Sequence, residues 1–248
     1  MAAPLASWGP DRAPSGSAGG GWRASVRLTT PALCWEFLRR NPAYRLDYGR
    51  TKDAGSSLDR RWGLAAPADP DLPADEGVVI WREDVAPGLV VPVERAPFGK
   101  PRPLPLARSD IHQGEDGRHI RLPSGLQVLL RGDAPAGGPL MVVMAYDADF
   151  NLRVRAVDAL RRASLTDAPP NSRLTTAQKE RLARCLFALD ATLKDQTHRD
   201  IARELFGPEE ADGPEFATST IRDVTARLVR RGRALMSGGY LRLLRAGF

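Results

Sequence analysis

The sequence predicts an α+β protein: an N-terminal helical hairpin, a small antiparallel β meander, and a C-terminal helical unit of helix-turn-helix type. Three observations carry this. A helical apolar pattern over residues 31–49 breaks at Asn41-Pro42. Twelve of the 21 prolines crowd into residues 63–140, with short β-rich runs between them. From Thr175 onward the apolar residues follow helical spacing.

Residues 1–30 are mostly Ala, Gly, Pro and Ser and have no apolar core of a secretory signal. Too little apolar surface is available to offset the entropy of ordering them, so this stretch is expected to be disordered. In PALCWEFLRRNPAYRLDYG, Pro31 suits a first helical turn, and Leu33, Phe37 and Leu38 recur at helical spacing. A second helix carries Ala43, Tyr44, Leu46 and Tyr48. The hairpin, assigned to residues 31–62, is too small to fold alone and must dock on something; its aromatics are expected to face the β meander rather than stack on bases.

Residues 63–140 form a proline-rich linker and the meander. Val78 to Trp81 and Leu89 to Val91 read as strands. Ile120 and Leu122, a Pro-Ser-Gly turn at 123–125, and Leu126 to Leu130 read as a β-hairpin. An apolar run from Leu140 to Met144 then leads to Asp147 and Asp149, with Asp149 as N-cap of an Arg-rich helix containing Leu152, Val157 and Leu160.

Residues 141–248 are the helical region, with a core at 171–248 expected to fold by itself. Leu182, Cys185, Leu186, Leu189 and Leu193 make one helix face, starting near Thr176. Arg199 to Phe206 makes a second helix with Leu205 and Phe206 in its core, ended by Gly207-Pro208. An acidic loop, Glu209 to Glu215, follows. A third helix begins at Thr218-Ser219-Thr220, with capping-box spacing from Thr220 to Asp223. Ile221, Val224, Thr225 and Leu228 face inward, Gly232 closes the helix, and Gly238-Gly239 turns the chain into a short final element.

Charge placement is more telling than its total. The net charge is +6, and residues 216–248 alone contain seven arginines and one acid, Asp223. The rest of the chain is formally neutral. This points to a polyanion partner at that end, nucleic acid foremost. The bland alternative is a solvated face in a chain where arginine replaces lysine almost throughout; confinement of the whole surplus to one end favours nucleic acid. The candidate DNA-contacting residues are Thr218, Ser219, Thr220, Arg222, Arg227, Arg230, Arg231 and Arg233. The hydroxyls would meet the backbone at a positive helix end, and the guanidinium groups would meet phosphates and guanine edges. The connection from Phe206 to Thr218 is longer than the usual helix-turn-helix turn.

Other chemistry is weakly represented. Asp147-Ala148-Asp149 has the spacing of a diphosphate-metal motif, but no glycine-rich phosphate loop accompanies it. His112, His119 and His198 do not combine with Cys or Asp at a ligand spacing. Cys34 and Cys185 fall on apolar helical faces and fit core packing in a reducing cytoplasm. No enzyme, cofactor, metal or membrane span is expected. The rival of another class is a protein-interaction adaptor whose basic end binds an acidic protein.

HRDIARELFG and TSTIRDVTARLVRRGRALMSGGYLRLL resemble the RovC-type DNA-binding domain, found in transcription factors of type VI secretion genes and in rhizobial integrative-conjugative-element activators. FLRRNPAYRLDYG resembles the short N-terminal domain that accompanies it, and GRHIRLPSG and ADFNLRVRAVDAL resemble the middle of the same domain. The resemblance implies a sequence-specific regulator of bacterial transcription on a mobile element or secretion locus. It makes the arginine-flanked helix from Thr218 to Arg233 DNA-contacting and the Gly238 to Tyr240 turn structural. The implied partners are double-stranded DNA, a second copy of the chain in a homo-oligomer, and a small antiactivator protein of the kind that holds some members inactive.

Overall fold

Alternating side chains in the middle of the chain build a five-stranded sheet, in which residues 110–114, 117–121, 127–131, 90–95 and 140–142 lie side by side in that order. The computed structural model describes residues 21–54, 57–102, 104, 109–132, 137–163 and 174–246. The disorder expected over residues 1–20 therefore lies outside the described residues. The strands are β1 (Val90–Arg95), β2 (Asp110–Gly114), β3 (Gly117–Arg121), β4 (Gln127–Arg131) and β5 (Leu140–Val142). The β3–β4 hairpin is the one its sequence predicts, with Ile120 opposite Val128 and Gly125 at φ +85° in the turn. Gly117 is obligatory at the start of β3, because a Cβ there would meet the Leu130 carbonyl oxygen at 2.2 Å.

The sheet is mostly antiparallel, and it departs from the expected meander at its centre. β1 pairs in parallel with β4, Val91 opposite Val128, and antiparallel with β5, Val93 opposite Val142. The reason is burial on both faces. Val91 and Val93 join Ile120, Val128 and Leu130 beneath helix α4 (Phe150–Ala163), which contributes Ala156 and Leu160. Val90 and Leu129 point the other way, into a larger helical core.

The run from Val78 to Trp81 is no strand. Within it only Trp81 makes a β-bridge, to Leu64. Its apolar character has another cause: Val79, Ile80 and Trp81 are buried in a long strap, residues 63–89, between the sheet and the helices. Gln127 fixes that strap to β4. Its buried amide accepts from the Trp81 N–H at 2.9 Å and donates to the Val79 carbonyl at 2.8 Å.

The N-terminal helices are α1 (Gly21–Ser25), α2 (Thr30–Leu38) and α3 (Pro42–Ala54). The order expected to begin at residue 31 begins earlier, because Trp22 is buried and residues 21–25 are helical. Thr29 caps α2. Asn41 joins α2 to α3, its side-chain oxygen accepting from the Ala43 N–H and its amide donating to the Met236 carbonyl. Trp35 and Tyr44 are fully buried. They face the strap more than the sheet: Trp35 Nε1 donates to the Leu72 carbonyl, and the Tyr44 hydroxyl donates to that of Ala68.

The C-terminal helices are α5 (Thr176–Leu193), α6 (His198–Phe206), α7 (Pro208–Ala211), α8 (Thr220–Ala234) and α9 (Tyr240–Ala246). They share one core with α2, including Leu33, Cys34, Phe37, Leu186, Leu189, Leu235, Tyr240 and Leu244. Ends of the chain far apart in sequence thus complete each other's burial. A buried ion-pair chain adds to this. The carboxylate of Glu36 takes the guanidinium groups of Arg39 and Arg40, and Arg40 also pairs with Asp190 of α5. Burial alone would raise the Glu36 carboxyl, but Arg40 and Arg39 outweigh it and hold the group below its ordinary value.

Candidate nucleic-acid interface

Helix starts set the geometry of the basic end. α5 begins with a capping box between Thr175 and Gln178, one residue before the start its sequence suggests, and α6 begins with another between Thr197 and Asp200. α6 buries Ile201 and Ala202, while Leu205 and Phe206, expected in the core, are only partly buried. The expected acidic loop is locally helical instead. α7 occupies 208–211, and a 3-10 turn occupies Pro214–Thr218. Phe216 anchors that turn in a small core with Ala202 and Ala211, and Arg199 lies over its ring at 5.1 Å. Arg203 of α6 pairs with Asp212, fastening the acidic stretch back onto the helix.

α8 is capped by Ser219, not Thr220. The Ser219 side chain accepts from the Arg222 N–H, so Arg222, not Asp223, stands third in the helix, and no capping box forms. The hydroxyls of Thr218 and Ser219 donate to the carbonyls of Glu215 and Phe216. Their protons are committed to the backbone. Thr220 is exposed and carries no side-chain hydrogen bond among the described residues.

The two faces of α8 are sharply divided. Thr225, Leu228, Val229 and Gly232 are buried against α5 and α6, while Arg222, Arg227, Arg230, Arg231 and Arg233 are all exposed. At about 100° per residue, those five arginines span an arc of about 180°, opposite the buried stripe. Arg222 has Asp223 at 3.7 Å; the other four have no acidic partner among the described residues. Gly232 does not close the helix. A Cβ there would stand 2.6 Å from the Cys185 carbonyl oxygen, so its role is close approach of α8 to α5. The break comes at Ser237 and Gly238, with Gly238 at φ +112°, as the Gly-Gly pair predicts.

Such a row of unneutralised guanidinium groups on a rigid helix suits phosphate and base-edge contact. Residues 143–245 match the family model described as T6SS, transcription factor, DNA binding domain, the RovC-type domain. That stretch resembles a RovC-type DNA-binding domain. Residues 22–66 match a proteobacterial transcriptional regulator-like domain. Together the matches indicate a transcriptional regulator with a DNA-binding domain. No curated protein matches the chain.

The RovC-type domain reaches from α4 to α9, so it includes the helix that covers the sheet. The N-terminal match, α1 to α3 and the turn at Trp62, packs directly on its α5 and α9. Asp147 and Asp149 lie at the start of α4 and are spent locally. Asp147 accepts from the Asp149 N–H and pairs with Arg153, while Asp149 pairs with Arg245 at 2.6 Å. Asp149 thus stands just before α4, its carbonyl accepting from the Arg153 N–H, while its carboxylate ties α9 to that helix start. His112 and His119 are cross-strand partners, and His119, buried, sits 2.7 Å from Asp116. Among the described residues no group of three or more His, Cys, Asp or Glu side chains is placed to hold a metal. Cys34 and Cys185 are buried, and burial pushes the Cys185 thiol up to about 11. No helix of the described residues is long and apolar enough to cross a membrane.

Proposed function

We propose that the chain is a sequence-specific regulator of bacterial transcription, acting in the cytoplasm on a mobile element or secretion locus. α8 enters the major groove and α6 crosses the backbone, in the manner of a helix-turn-helix. The segment between them, longer than the usual turn, acts as a packed spacer built on Phe216. Arg222, in the first turn, reads a base edge. Arg227, Arg230, Arg231 and Arg233 neutralise phosphates. Thr220 donates to the backbone, and Thr218 and Ser219 shape the helix start that presents it. A second copy of the chain and a small antiactivator protein are the other proposed partners, on the strength of the family resemblance.

The observation that carries this reading is the arginine arc on α8, opposite its buried stripe and short of acidic partners. Binding of the full chain to duplex DNA should weaken steeply with salt, and Arg230→Ala and Arg231→Ala should each flatten the log–log salt slope by about one. Salt-insensitive binding, or none, would favour the rival adaptor that takes an acidic protein.

A further inference from the structure

The basic surface does not stop at α8. α8 crosses α5 where Gly232 meets Cys185, a Cβ on the glycine standing 2.6 Å from the cysteine carbonyl oxygen, and Arg231 adjoins that crossing on α8 as Arg181 does, one turn away, on α5. Arg181 is exposed and has no acidic partner among the described residues. One turn further along α5, Arg184 lies over the indole of Trp22 in α1, its guanidinium carbon 4.6 Å from the ring centroid. Arg184 has no carboxylate partner among the described residues, and its Nε is buried without a hydrogen bond. Arg23 lies over the same ring at 5.0 Å, and Arg27 is exposed just beyond α1. Positive charge therefore runs from α8 across α5 to α1.

Resting on the reading of α8 as the groove helix, we propose that Arg181, Arg184 and Arg27 form a second phosphate-binding ledge. The regulator-like N-terminal segment is then part of the DNA surface rather than only a brace. Three features support this. The ledge is continuous with the α8 arginines. Trp22 is held in the core, so stacking on its ring fixes the Arg184 plane instead of leaving it to solvent. The separation also fits a duplex. Packed helices lie about 8–10 Å apart, so α1 and α8, both on α5, stand at most about 16–20 Å apart. At about 3.4 Å per nucleotide along the axis, that is at most about five or six base pairs. The ledge would meet phosphates within about half a turn of the groove α8 enters.

The test uses the full chain and a labelled random-sequence duplex of about 30 base pairs, near three turns, read by anisotropy across a salt series. Arg27→Glu with Arg181→Glu is the ledge variant; both side chains are exposed, and an unchanged melting curve verifies the fold. Arg95→Glu with Lys100→Glu, exposed at the end of β1 and just beyond it, makes the same change of charge away from the ledge. Arg230→Ala is the reference. The ledge variant should bind at least tenfold more weakly than wild type, with a salt slope smaller by about two, and the β1 variant should bind within about threefold of wild type. An unchanged affinity of the ledge variant overturns the ledge, and so does an equal loss in the ledge and β1 variants, which would be only long-range repulsion. In either case an intact Arg230→Ala effect leaves the groove reading standing. If Arg230→Ala is silent, the groove reading falls and the ledge falls with it.

Discussion

The Tyr240 hydroxyl donates to the carbonyl of Trp62 at 2.9 Å, deep in the protein. One group belongs to the last helix and the other to the turn that closes the N-terminal region. The Cys34 thiol adds a contact to the Tyr240 carbonyl, and Trp81 packs beside the tyrosine ring. The basic end therefore shares its core with the N-terminal region, although its periodicity reads as a separate unit. Its apolar stripe is completed by α2 and by the strap.

Tyr240→Phe leaves the Trp62 carbonyl without that donor and should lower stability by about 1–3 kcal/mol in a urea titration. The fragment 171–248, stripped of α2 and the strap, should lose cooperative unfolding altogether. A sharp two-state transition for that fragment would show that α2 is dispensable.

Acid sensitivity should centre on Glu36. Its folded-state value lies below the ordinary one, so the stability it confers is fully present above about pH 5. It is lost as pH falls through that lowered folded value. Glu36→Gln should lower the melting temperature at neutral pH, with a loss of about 3 kcal/mol for breaking a buried charge cluster. The variant should also show a flatter fall in melting temperature below pH 4. Parallel curves for the two proteins would assign the acid transition to other groups.

Gly232→Ala offers a prediction of sign. In an exposed helix interior the change stabilises by up to about 1 kcal/mol. Here the added methyl group meets the Cys185 carbonyl and the Leu189 Cβ. A loss of about 1–3 kcal/mol is expected instead, visible as a lower urea midpoint with α5 and α8 pushed apart.

On its operator, Arg222→Ala should weaken binding by about 1–3 kcal/mol and relax preference at one base position. Arg230→Ala should weaken all sequences alike. Competition between operator and random duplex separates the two, and equal losses for both variants would make α8 a backbone clamp. Asp223→Ala should cost only a few tenths to about 1 kcal/mol of stability, since its carboxylate merely faces the positive start of the helix.

The parts legible in the sequence are those that local spacing determines. Leu182, Cys185, Leu186 and Leu189 form the buried face of α5 as their offsets require, and the Pro-Ser-Gly turn marks the β3–β4 hairpin. The arginine face of α8 was also readable, because a helix separates charged from apolar residues by angle alone. Helix starts at Thr175 and Ser219 fall one residue before those the spacing suggests, because several hydroxyls compete for one capping position. Val78 to Trp81 imitates a strand because a strap buried on two sides is as apolar as one. β2 leaves no such mark for the opposite reason: Asp110 to Gly114 has no fully buried residue. Trp22 sits among small residues whose composition suggests disorder, and its partner on α5 is far away in sequence, so no local pattern could reveal the α1 contact or the path of charge through Arg184.

The contact between Cys34 and Tyr240 spans 206 positions of chain. At a synthesis rate of about 5–20 residues per second, α2 leaves the ribosome about 10–40 s before the helix that shields it. For that interval Leu33, Phe37 and the rest of its apolar face have no permanent cover from the C-terminal helices, and a nascent chain halted before Tyr240 would leave that cover incomplete. Chains cut short in translation should therefore be recognised by chaperones and proteases instead of accumulating as partial competitors for the operator. The regulator becomes competent only after Tyr240 has been made.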